Sequence, residues 1–349
     1  MDLPVAPSNQ VPWIQLELRQ LRHALLTWYD QSRRELPWRK DTDPYHVWIS
    51  EIMLQQTRVA AVLEHYARFL DRFPTVQSLA AAREQTVLAL WSGLGYYHRA
   101  RRMHQAAKVI VREWKGEFPR TAEDWRTLPG IGRYTAAAIA SIAFGEPVAV
   151  LDGNVERVLE RMLGRAETKE AAWSQAEVLL SRTRPGDFNQ AMMELGATLC
   201  TPRSPQCLLC PLQPWCRFPG AGTARPQTRR KRQQLAYALA WKDGSVALRQ
   251  RPSDATLMAG MWELPSVPEE RRGGKAVLAR LRHAITDTDY EIHIILFDPQ
   301  EMESFATEMR WVAPRQWQRL ALTGLTRKIL RKIGSESGDS GGSSKRGRV

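Results

Sequence analysis

The four cysteines of this 349-residue chain all lie between positions 200 and 216. Thiolates grouped this tightly are typical of metal ligands, because a metal needs several ligands that converge within a few ångströms. Four prolines in the same stretch exclude a continuous helix, so the segment must loop around its metal. The spacing, C-x6-C-x2-C-x5-C, has one C-x2-C pair where zinc sites more often have two, and it also differs from the ferredoxin spacings. The residues alone leave the metal open between zinc and an iron–sulfur cluster.

The charge balance favours a polyanionic partner. Lys and Arg total 50 against 37 Asp and Glu, a formal net charge of +13, although a generic basic protein would share this excess. Residues 1–10 lack the pattern of a signal peptide, and the most apolar run, 134–144, is far below the roughly 20 residues that span a bilayer. Four cysteines in a chain this long do not form a disulfide framework. We therefore expect an intracellular protein with no membrane partner.

Helical periodicity dominates the first part of the chain, from about residue 16 to residue 197. Apolar residues recur at helical spacing at Trp48, Ile52, Val59, Val62, Tyr66 and Phe69, which predicts one amphipathic stripe along the positions 48, 52, 55, 59, 62 and 66. We expect an all-α domain over 1–216, with a metal loop at 200–216. Residues 217–234 carry six cations and no acid, which predicts an exposed basic linker that either follows phosphates or serves as a simple tether.

From residue 235 the pattern changes to strands. Residues 235–241 and 245–250 flank Asp243-Gly244, a strong hairpin signal. Residues 290–297 and 309–312 are further predicted strands, whereas 275–284 and 322–333 are predicted helices. The pattern therefore predicts a small α+β domain over 235–333. Residues 334–349 are rich in Gly and Ser, end in a basic run and are predicted to be a disordered tail.

Two motifs lie between predicted helices in the first domain. In Leu128-Pro129-Gly130-Ile131-Gly132, the glycines Gly130 and Gly132 permit positive φ and close backbone approach, and the helix that follows would offer its N–H groups to a phosphate. An ordinary helix–helix turn is the alternative. The second motif covers residues 151–159. Its Asp152 directly precedes a predicted helix, and the simplest interpretation is that Asp152 is the N-cap residue of that helix.

Two polar residues interrupt the apolar stripe of residues 48–66. Glu51 lies at its edge, and Gln55 lies within it. Burial of a carboxyl group is costly in the ionised form and raises its pKa, which suits a general acid at neutral pH. The alternative for Glu51 is a surface glutamate on a fraying helix face.

Taken together, these pieces resemble the helix-hairpin-helix DNA glycosylases, and specifically the MutY-type adenine DNA glycosylases. The matching stretches are LPWR (36–39), SEIMLQQT (50–57), GLGYYHRAR (93–101), LPGIGRYTAAA (128–138), LDGNVERVL (151–159), FNQAMMELGATLC (188–200) and the cysteine cluster. They follow the family's order and cover residues 16–216 almost continuously. The resemblance implies a [4Fe–4S] cluster held by Cys200, Cys207, Cys210 and Cys216.

The resemblance also implies roles for single residues. Glu51 would protonate the adenine that leaves, and Asp152 would stabilise the oxocarbenium-like sugar or act as its nucleophile, with Tyr134 and Asn154 orienting the reacting groups. The substrate would be double-stranded DNA in which an adenine opposite 8-oxoguanine is flipped out. The positions that match the adenine pocket are Trp38, Arg39, Leu54 and Gln190. The positions expected to contact DNA are Gln55, Gln56, Tyr96, Gly130, Gly132 and Thr286, of which Gln56 and Tyr96 would wedge into the base stack.

Position 134 distinguishes two groups of such enzymes. Endonuclease III-like enzymes carry a lysine there and form a Schiff base that leads to strand cleavage, whereas a phenol cannot form that imine. Tyr134 therefore predicts base removal without efficient strand cleavage.

Residues 235–333 resemble the Nudix-like domain with which such enzymes read 8-oxoguanine. AGMWELP (259–265) is similar to the start of a Nudix core, but the glutamate-rich Mg²⁺-binding helix is missing, which makes a pyrophosphatase a poor interpretation. The family's Phe-Ser-His loop is replaced here by Ile285-Thr286-Asp287, where Thr286 can still donate a hydrogen bond. We expect a monomer in the bacterial nucleoid. The alternatives are a glycosylase for another mispaired base and a non-catalytic lesion-binding protein.

Overall fold

The computed structural model of the protein describes residues 13–218, 230–285, 288–305 and 309–338. The chain forms two compact units, the first from residues 1–80 and 105–226 and the second from residues 81–104 and 227–349. This division differs from the predicted continuous domain over 1–216, because residues 81–104 pack with the C-terminal residues. The Ser92 hydroxyl, for example, donates a hydrogen bond of 2.6 Å to the Leu322 carbonyl.

Helices make up most of the chain before the cysteines, as predicted. In chain order they are α1 (Gln15–Ser32), α2 (Pro44–Leu54), α3 (Val59–Arg72), α4 (Val76–Ala80), α5 (Glu84–Trp91), α6 (His98–Glu113), α7 (Ala122–Trp125), α8 (Arg133–Phe144), α9 (Gly153–Leu163), α10 (Lys169–Leu179) and α11 (Pro185–Thr198). The first helix illustrates their origin: Leu18, Leu21, Leu25 and Tyr29 recur at helical spacing and are all buried. Within the described residues, no helix has the length and apolar character needed to cross a membrane.

The predicted stripe of residues 48–66 belongs to two helices. The first of them, α2, ends at Leu54, and α3 begins at Val59, with Gln55 as the C-cap residue between them. Gln56 has a φ of 54°, a left-handed conformation that interrupts helical hydrogen bonding. The prediction of one uninterrupted face was therefore wrong at its centre, and Gln55 and Gln56 lie in a turn.

Two glycines bring α11 close to its neighbours. A Cβ atom at Gly186 would approach the Ser141 carbonyl oxygen of α8 to 2.6 Å, and one at Gly196 would approach the Asn154 Cβ of α9 to 2.7 Å. Any side chain at these positions would force the helices apart. The backbone of α11 therefore lies directly against α8 and α9, which brings together residues from all three helices.

The second unit contains two small sheets. Its elements are β1 (Lys231–Leu239), β2 (Trp241–Lys242), β3 (Ser245–Gln250), β4 (Trp262–Glu263), β5 (Val277–Ile285), β6 (Thr288–Leu296), α12 (Pro299–Phe305), β7 (Met309–Val312) and α13 (Gly324–Gly338). One sheet has the order β1-β6-β5, with β1 and β6 parallel. In the other, β3 pairs with β2, β4 and β7, all antiparallel. Apolar side chains of both sheets and of α13 form its core.

The predicted elements of this unit are confirmed in part. Asp243 and Gly244 have φ of 48° and 71°, as a two-residue hairpin turn requires, and they join β2 to β3. The strand predicted over 290–297 lies in β6 as far as Leu296, the one predicted over 309–312 is β7, and α13 covers most of the predicted helix. The predicted helix over 275–284 was wrong: β5 pairs with β6, whose apolar side chains Ile292 and Ile294 are fully buried in the centre of the sheet.

Two predicted segment boundaries also shift. The strand β1 begins at Lys231, inside the predicted linker, because residues 231–234 pair with the start of β6. The helix α13 extends to Gly338, into the predicted tail. Residues 219–229 of the linker and 339–349 of the tail lie outside the described residues.

Candidate active site

Glu51 lies in a buried turn of α2. The N-terminus of α2 is set by Asp43, whose carboxylate accepts hydrogen bonds from the Tyr45 and His46 amides, and by Pro44 at the first helical position. Every residue from Val47 to Met53 is buried, and Glu51 is only 7% exposed. The alternative of a surface glutamate is therefore wrong.

A phenol hydroxyl contacts this carboxyl group. Tyr134, in the first turn of α8, donates a hydrogen bond of 2.7 Å to Glu51 Oε2, and its hydroxyl also lies 3.3 Å from Met193 Sδ of α11. Burial raises the pKa of Tyr134 well above its ordinary value, and the neighbouring Glu51 charge adds to this. Tyr134 therefore stays a neutral donor at physiological pH.

The environment of Glu51 shifts its acidity towards neutrality. Burial raises the pKa of Glu51 from 4.5 to about 7 against the opposing hydrogen bond from Tyr134, while the charge of Asp152 raises it further and that of Arg39 lowers it. Such a group holds a proton in an appreciable fraction of molecules at neutral pH and can deliver it to a bound partner. The expected effect of burial on Glu51 is confirmed.

Asp152 is the N-cap residue of α9. Its Oδ1 accepts hydrogen bonds from the amides of Asn154 and Val155, at 2.9 and 2.8 Å, and its Oδ2 accepts one of 2.9 Å from the Asn154 side-chain amide. The helix N-terminus and these three donors stabilise a negative charge. The capping interpretation is thus confirmed as geometry, and the carboxylate is only partly buried, so a reactant can still approach it.

The four predicted pocket residues come from three elements of the first unit. Trp38 and Arg39 form a 3-10 turn at Pro37–Arg39, Leu54 ends α2, and Gln190 lies on α11. Trp38 is buried against Tyr66, with ring centroids 5.3 Å apart, whereas the other three are partly exposed.

Glu194 is a buried carboxylate that was not predicted as a site residue. It lies on α11, is 1% exposed, and binds both Arg34 and Arg39. Its position one turn beyond Gln190 on a buried helix face was the only signal that could have indicated it.

The residues predicted to contact DNA are placed differently from one another. Gln55 donates from Nε2 to the Thr135 hydroxyl at 3.0 Å. Gln56 is exposed, with its backbone in the left-handed region. Tyr96, in the second unit, has a φ of 46° and is 39% exposed. Thr286 lies outside the described residues.

The two glycines of the 128–132 motif serve different purposes. Gly130 has a φ of 81°, which favours glycine, whereas Gly132 has a φ of −91° and needs no such freedom. Gly132 is the N-cap of α8, and a Cβ built there would meet nothing within 4 Å. The space beside the N-terminus of α8 is therefore open at this residue.

The cysteines surround a cavity of about 190 Å³, lined by all four of them with Arg161 and Phe218 among the other residues. Within the described residues, no group of cysteine, histidine or acidic side chains converges closely enough to hold a single metal ion. Zinc would need four thiolates at about 2.3 Å from one point. The cavity between the cysteines fits a larger group, such as an iron–sulfur cluster.

Two arginines of α9 hold the cysteine loop. Arg161, 9% exposed, donates to the Cys200 sulfur at 3.2 Å and to the carbonyls of Thr201 and Pro202. Arg157 donates to the Cys200 carbonyl at 2.9 Å and to the Asn154 side-chain oxygen at 2.8 Å. Because Asn154 in turn donates to Asp152, hydrogen bonds run without interruption from a cysteine to the candidate catalytic carboxylate.

Three protein families match this arrangement. Residues 49–181 match the HhH-GPD superfamily of base excision DNA repair proteins, 200–216 match the iron–sulfur binding domain of endonuclease III, and 236–332 match the NUDIX domain. Adenine DNA glycosylase of Rattus norvegicus is 39% identical, over 81% of this chain and 67% of its own length. That of Mus musculus is 35% identical, over 90% and 78%. The chain belongs to the adenine DNA glycosylase family.

A solved structure agrees with this assignment at the level of the fold. A thermostable thymine-DNA glycosylase superposes with a TM-score of 0.55 and is 29% identical, covering 58% of this chain and 96% of its own. The protein is therefore a DNA glycosylase of base excision repair, with a helix-hairpin-helix region followed by a Nudix-like domain. Its four cysteines, which lie in the matched iron–sulfur binding domain, hold a [4Fe–4S] cluster, and the cavity between them fits such a group.

Proposed function

We propose that this glycosylase removes adenine paired with 8-oxoguanine, or with guanine, from double-stranded DNA, acting as a monomer at the bacterial chromosome. The observation that carries the proposal is the pairing of two unlike carboxyl groups. Glu51 is buried with a pKa near 7, and Asp152 is fixed by three hydrogen-bond donors at a helix N-terminus. Glycoside hydrolysis needs such a pair, one group as the acid and the other facing the sugar.

The reaction begins with the adenine nucleotide flipped out of the duplex. The Glu51 carboxyl group transfers its proton to a ring nitrogen of adenine, and the bond between the base and C1′ breaks, its electron pair leaving with adenine. The positive charge that develops on the sugar is stabilised by the Asp152 carboxylate, which attacks C1′ to form an ester. Water then displaces Asp152 and gives its proton to Glu51, which leaves an abasic site and regenerates the enzyme.

The surrounding residues bind and position the DNA. Trp38, Arg39, Leu54 and Gln190 line the adenine pocket. Gln56 and Tyr96 enter the base stack, a role that their left-handed backbones and exposed side chains support. The amides that follow Gly132 bind a phosphate. Gln55 acts at the same surface through its link to Thr135.

Strand cleavage is not part of this function. Tyr134 stands where lyases use a lysine, and its hydroxyl already donates to Glu51. Borohydride treatment during turnover is therefore expected to trap little covalent protein–DNA adduct, and abundant adduct would contradict a purely hydrolytic enzyme.

The Nudix-like domain, residues 235–333, reads the base opposite adenine. Because the Phe-Ser-His sequence is absent, we propose a weaker preference for 8-oxoguanine over guanine than enzymes with that loop have, with Thr286 supplying one donor. Excision rates opposite the two bases, compared with a Phe-Ser-His enzyme, test this. An equally large preference would contradict it.

The decisive experiment is single-turnover adenine release from a duplex with adenine opposite 8-oxoguanine. Glu51→Gln keeps the shape of the side chain and removes the proton, so the rate is expected to fall about 10²–10⁴-fold. Glu64→Gln, at an exposed glutamate of α3 whose side chain is 73% accessible, is the matched control and is expected to react at the parental rate. Unchanged release by Glu51→Gln, with DNA binding intact, would overturn the mechanism.

A further inference from the structure

We propose that Glu194 is a positioning residue that, together with Arg34, fixes the guanidinium group of Arg39 in the adenine pocket. The inference rests on the proposed function, because the pocket is where Arg39 would meet the flipped base. Glu194 itself would touch no substrate atom.

Both carboxylate oxygens of Glu194 accept hydrogen bonds from arginine side chains. Its Oε1 accepts hydrogen bonds from Arg34 Nε at 2.6 Å and from the Arg34 amide at 3.3 Å. Its Oε2 accepts from Arg34 Nη2 at 2.8 Å and from Arg39 Nη2 at 2.9 Å. A carboxylate that is 1% exposed is costly to keep ionised unless it is paired. Burial alone would raise the pKa of Glu194, but the Arg34 hydrogen bond and the Arg39 charge overcome this and lower it.

The guanidinium group of Arg39 uses only some of its N–H donors in contacts with the protein. Besides its bond to Glu194, Nη1 donates to the Arg34 carbonyl at 3.2 Å, and the guanidinium lies 5.6 Å from the centre of the Tyr29 ring. A guanidinium has five N–H donors. Within the described residues two of them are used, so the remaining donors are available to a bound base. Its charge also acts on Glu51, whose pKa it lowers.

Immobilising a free arginine side chain costs rotamer entropy. Because Glu194 fixes Arg39 before DNA binds, this entropy is lost when the protein folds and not when DNA binds. The flipped base then contacts a hydrogen-bond donor that is already in position. Arg34 supports the arrangement from outside, since its side chain is 40% exposed while it clamps both oxygens of Glu194. The three residues therefore act as a unit, with Arg39 as the member that faces the substrate.

A double-mutant cycle in the cluster-containing protein separates positioning from simple structural support. Adenine release is measured under single-turnover conditions for Glu194→Gln, Arg39→Met and the double variant. We expect Glu194→Gln alone to slow release by roughly tenfold to a hundredfold, the loss that a misplaced contact group can cause. In the Arg39→Met background, Glu194→Gln should cause less than about a twofold further loss.

Asp30→Asn is the matched control, because Asp30 of α1 forms an ion pair of 2.7 Å with Arg184 at the start of α11. That variant removes an ion pair between the same two parts of the chain without touching the pocket, and its rate should match the parent. If Glu194→Gln does not fold, Arg34→Gln replaces it, since Arg34 is partly exposed and Glu194 would keep Arg39 as its partner. A smaller loss, again absent in the Arg39→Met background, is then expected.

Several outcomes would overturn the inference. Fully additive losses would mean that Glu194 supports the fold and not Arg39. A parental rate for Arg39→Met would mean that this side chain makes no productive contact. Glu51→Gln is assayed in parallel to test the proposed chemistry itself. If Glu51→Gln reacts at the parental rate, the proposed function is contradicted. If Glu51→Gln is inactive and the losses from Glu194→Gln and Arg39→Met are additive, only the positioning role of Glu194 is refuted.

Discussion

Glu51 and Glu194 are both buried carboxyl groups of the helical unit, with exposures of 7% and 1%, yet the protein shifts their pKa values in opposite directions. Burial raises the pKa of Glu51 to about 7, and the hydrogen bond from the neutral phenol of Tyr134 offsets only part of this rise. Glu194 is at least as inaccessible, but two guanidinium groups lower its pKa. The identity of the partners, more than the depth of burial, thus decides which carboxyl group can carry a proton and which stays an anion.

Removing the partners of Glu194 gives the largest expected effect on stability. In the double variant Arg34→Leu and Arg39→Leu, the carboxylate keeps its burial and loses both cations. Breaking a buried pair by removing one side costs about 3–5 kcal/mol, so we expect a loss of that size in the free energy of unfolding. Urea unfolding followed by helical circular dichroism measures it. A loss below about 1 kcal/mol in the free energy of unfolding would show that the Glu194 carboxylate becomes hydrated in the variant at little cost.

Neutralising the two carboxyl groups should change stability with opposite signs. The pKa of Glu51 is higher in the folded than in the unfolded protein, so the free energy of unfolding falls as pH rises from 4.5 to about 7. Above that pH the buried charge lowers the free energy of unfolding by about 3 kcal/mol. Glu51→Gln removes this cost. The folded pKa of Glu194 is lowered, so its contribution is present above the unfolded pKa and disappears as pH falls through the folded pKa. Glu194→Gln removes a stabilising contribution.

We therefore expect Glu51→Gln to melt above the parent protein at about pH 8 and close to it at about pH 5, whereas Glu194→Gln melts below the parent at about pH 8. Thermal unfolding at the two pH values measures both differences. A Glu51→Gln variant that is no more stable at the higher pH would mean that the parental carboxyl group is not buried as a costly anion.

The burial and pKa shift of the two carboxyl groups could not be predicted from the sequence to the same extent. Glu51 interrupts an apolar stripe within one segment, so its burial and raised pKa could be predicted locally. Glu194 depends on Arg34 and Arg39, which lie about 155 residues away in the chain, and no local pattern reports such a contact. A pairing partner also explains β5: its own residues suggested a helix, but it is a strand that pairs antiparallel with β6.

Asp152 extends the comparison to a carboxylate that is fixed by neutral donors. Arg157 holds Asn154, the side chain that donates to Asp152, and the same guanidinium also holds the Cys200 carbonyl. Arg157→Leu is expected to slow adenine release about tenfold or more, because a charged hydrogen bond contributes about 1.5–3 kcal/mol. Arg68→Leu, at an exposed ion pair with Glu64 of α3, is the control. Loss of visible cluster absorbance without any change in rate would contradict a link from Arg157 to Asp152.

Tyr134→Phe gives the smallest effect and the most direct test of how a neutral partner sets the acidity of Glu51. The hydroxyl donates to Glu51 Oε2 at 2.7 Å and lowers the pKa of a group that burial has raised to about 7. Without it the carboxyl group holds its proton to higher pH, by a shift on the order of one pH unit, since a hydrogen bond is worth about 1.4 kcal/mol. In single-turnover pH profiles, the limb on which activity falls with rising pH should move upwards. A downward shift would mean that the phenol stabilises the protonated form and therefore acts together with burial and the Asp152 charge to raise the pKa of Glu51.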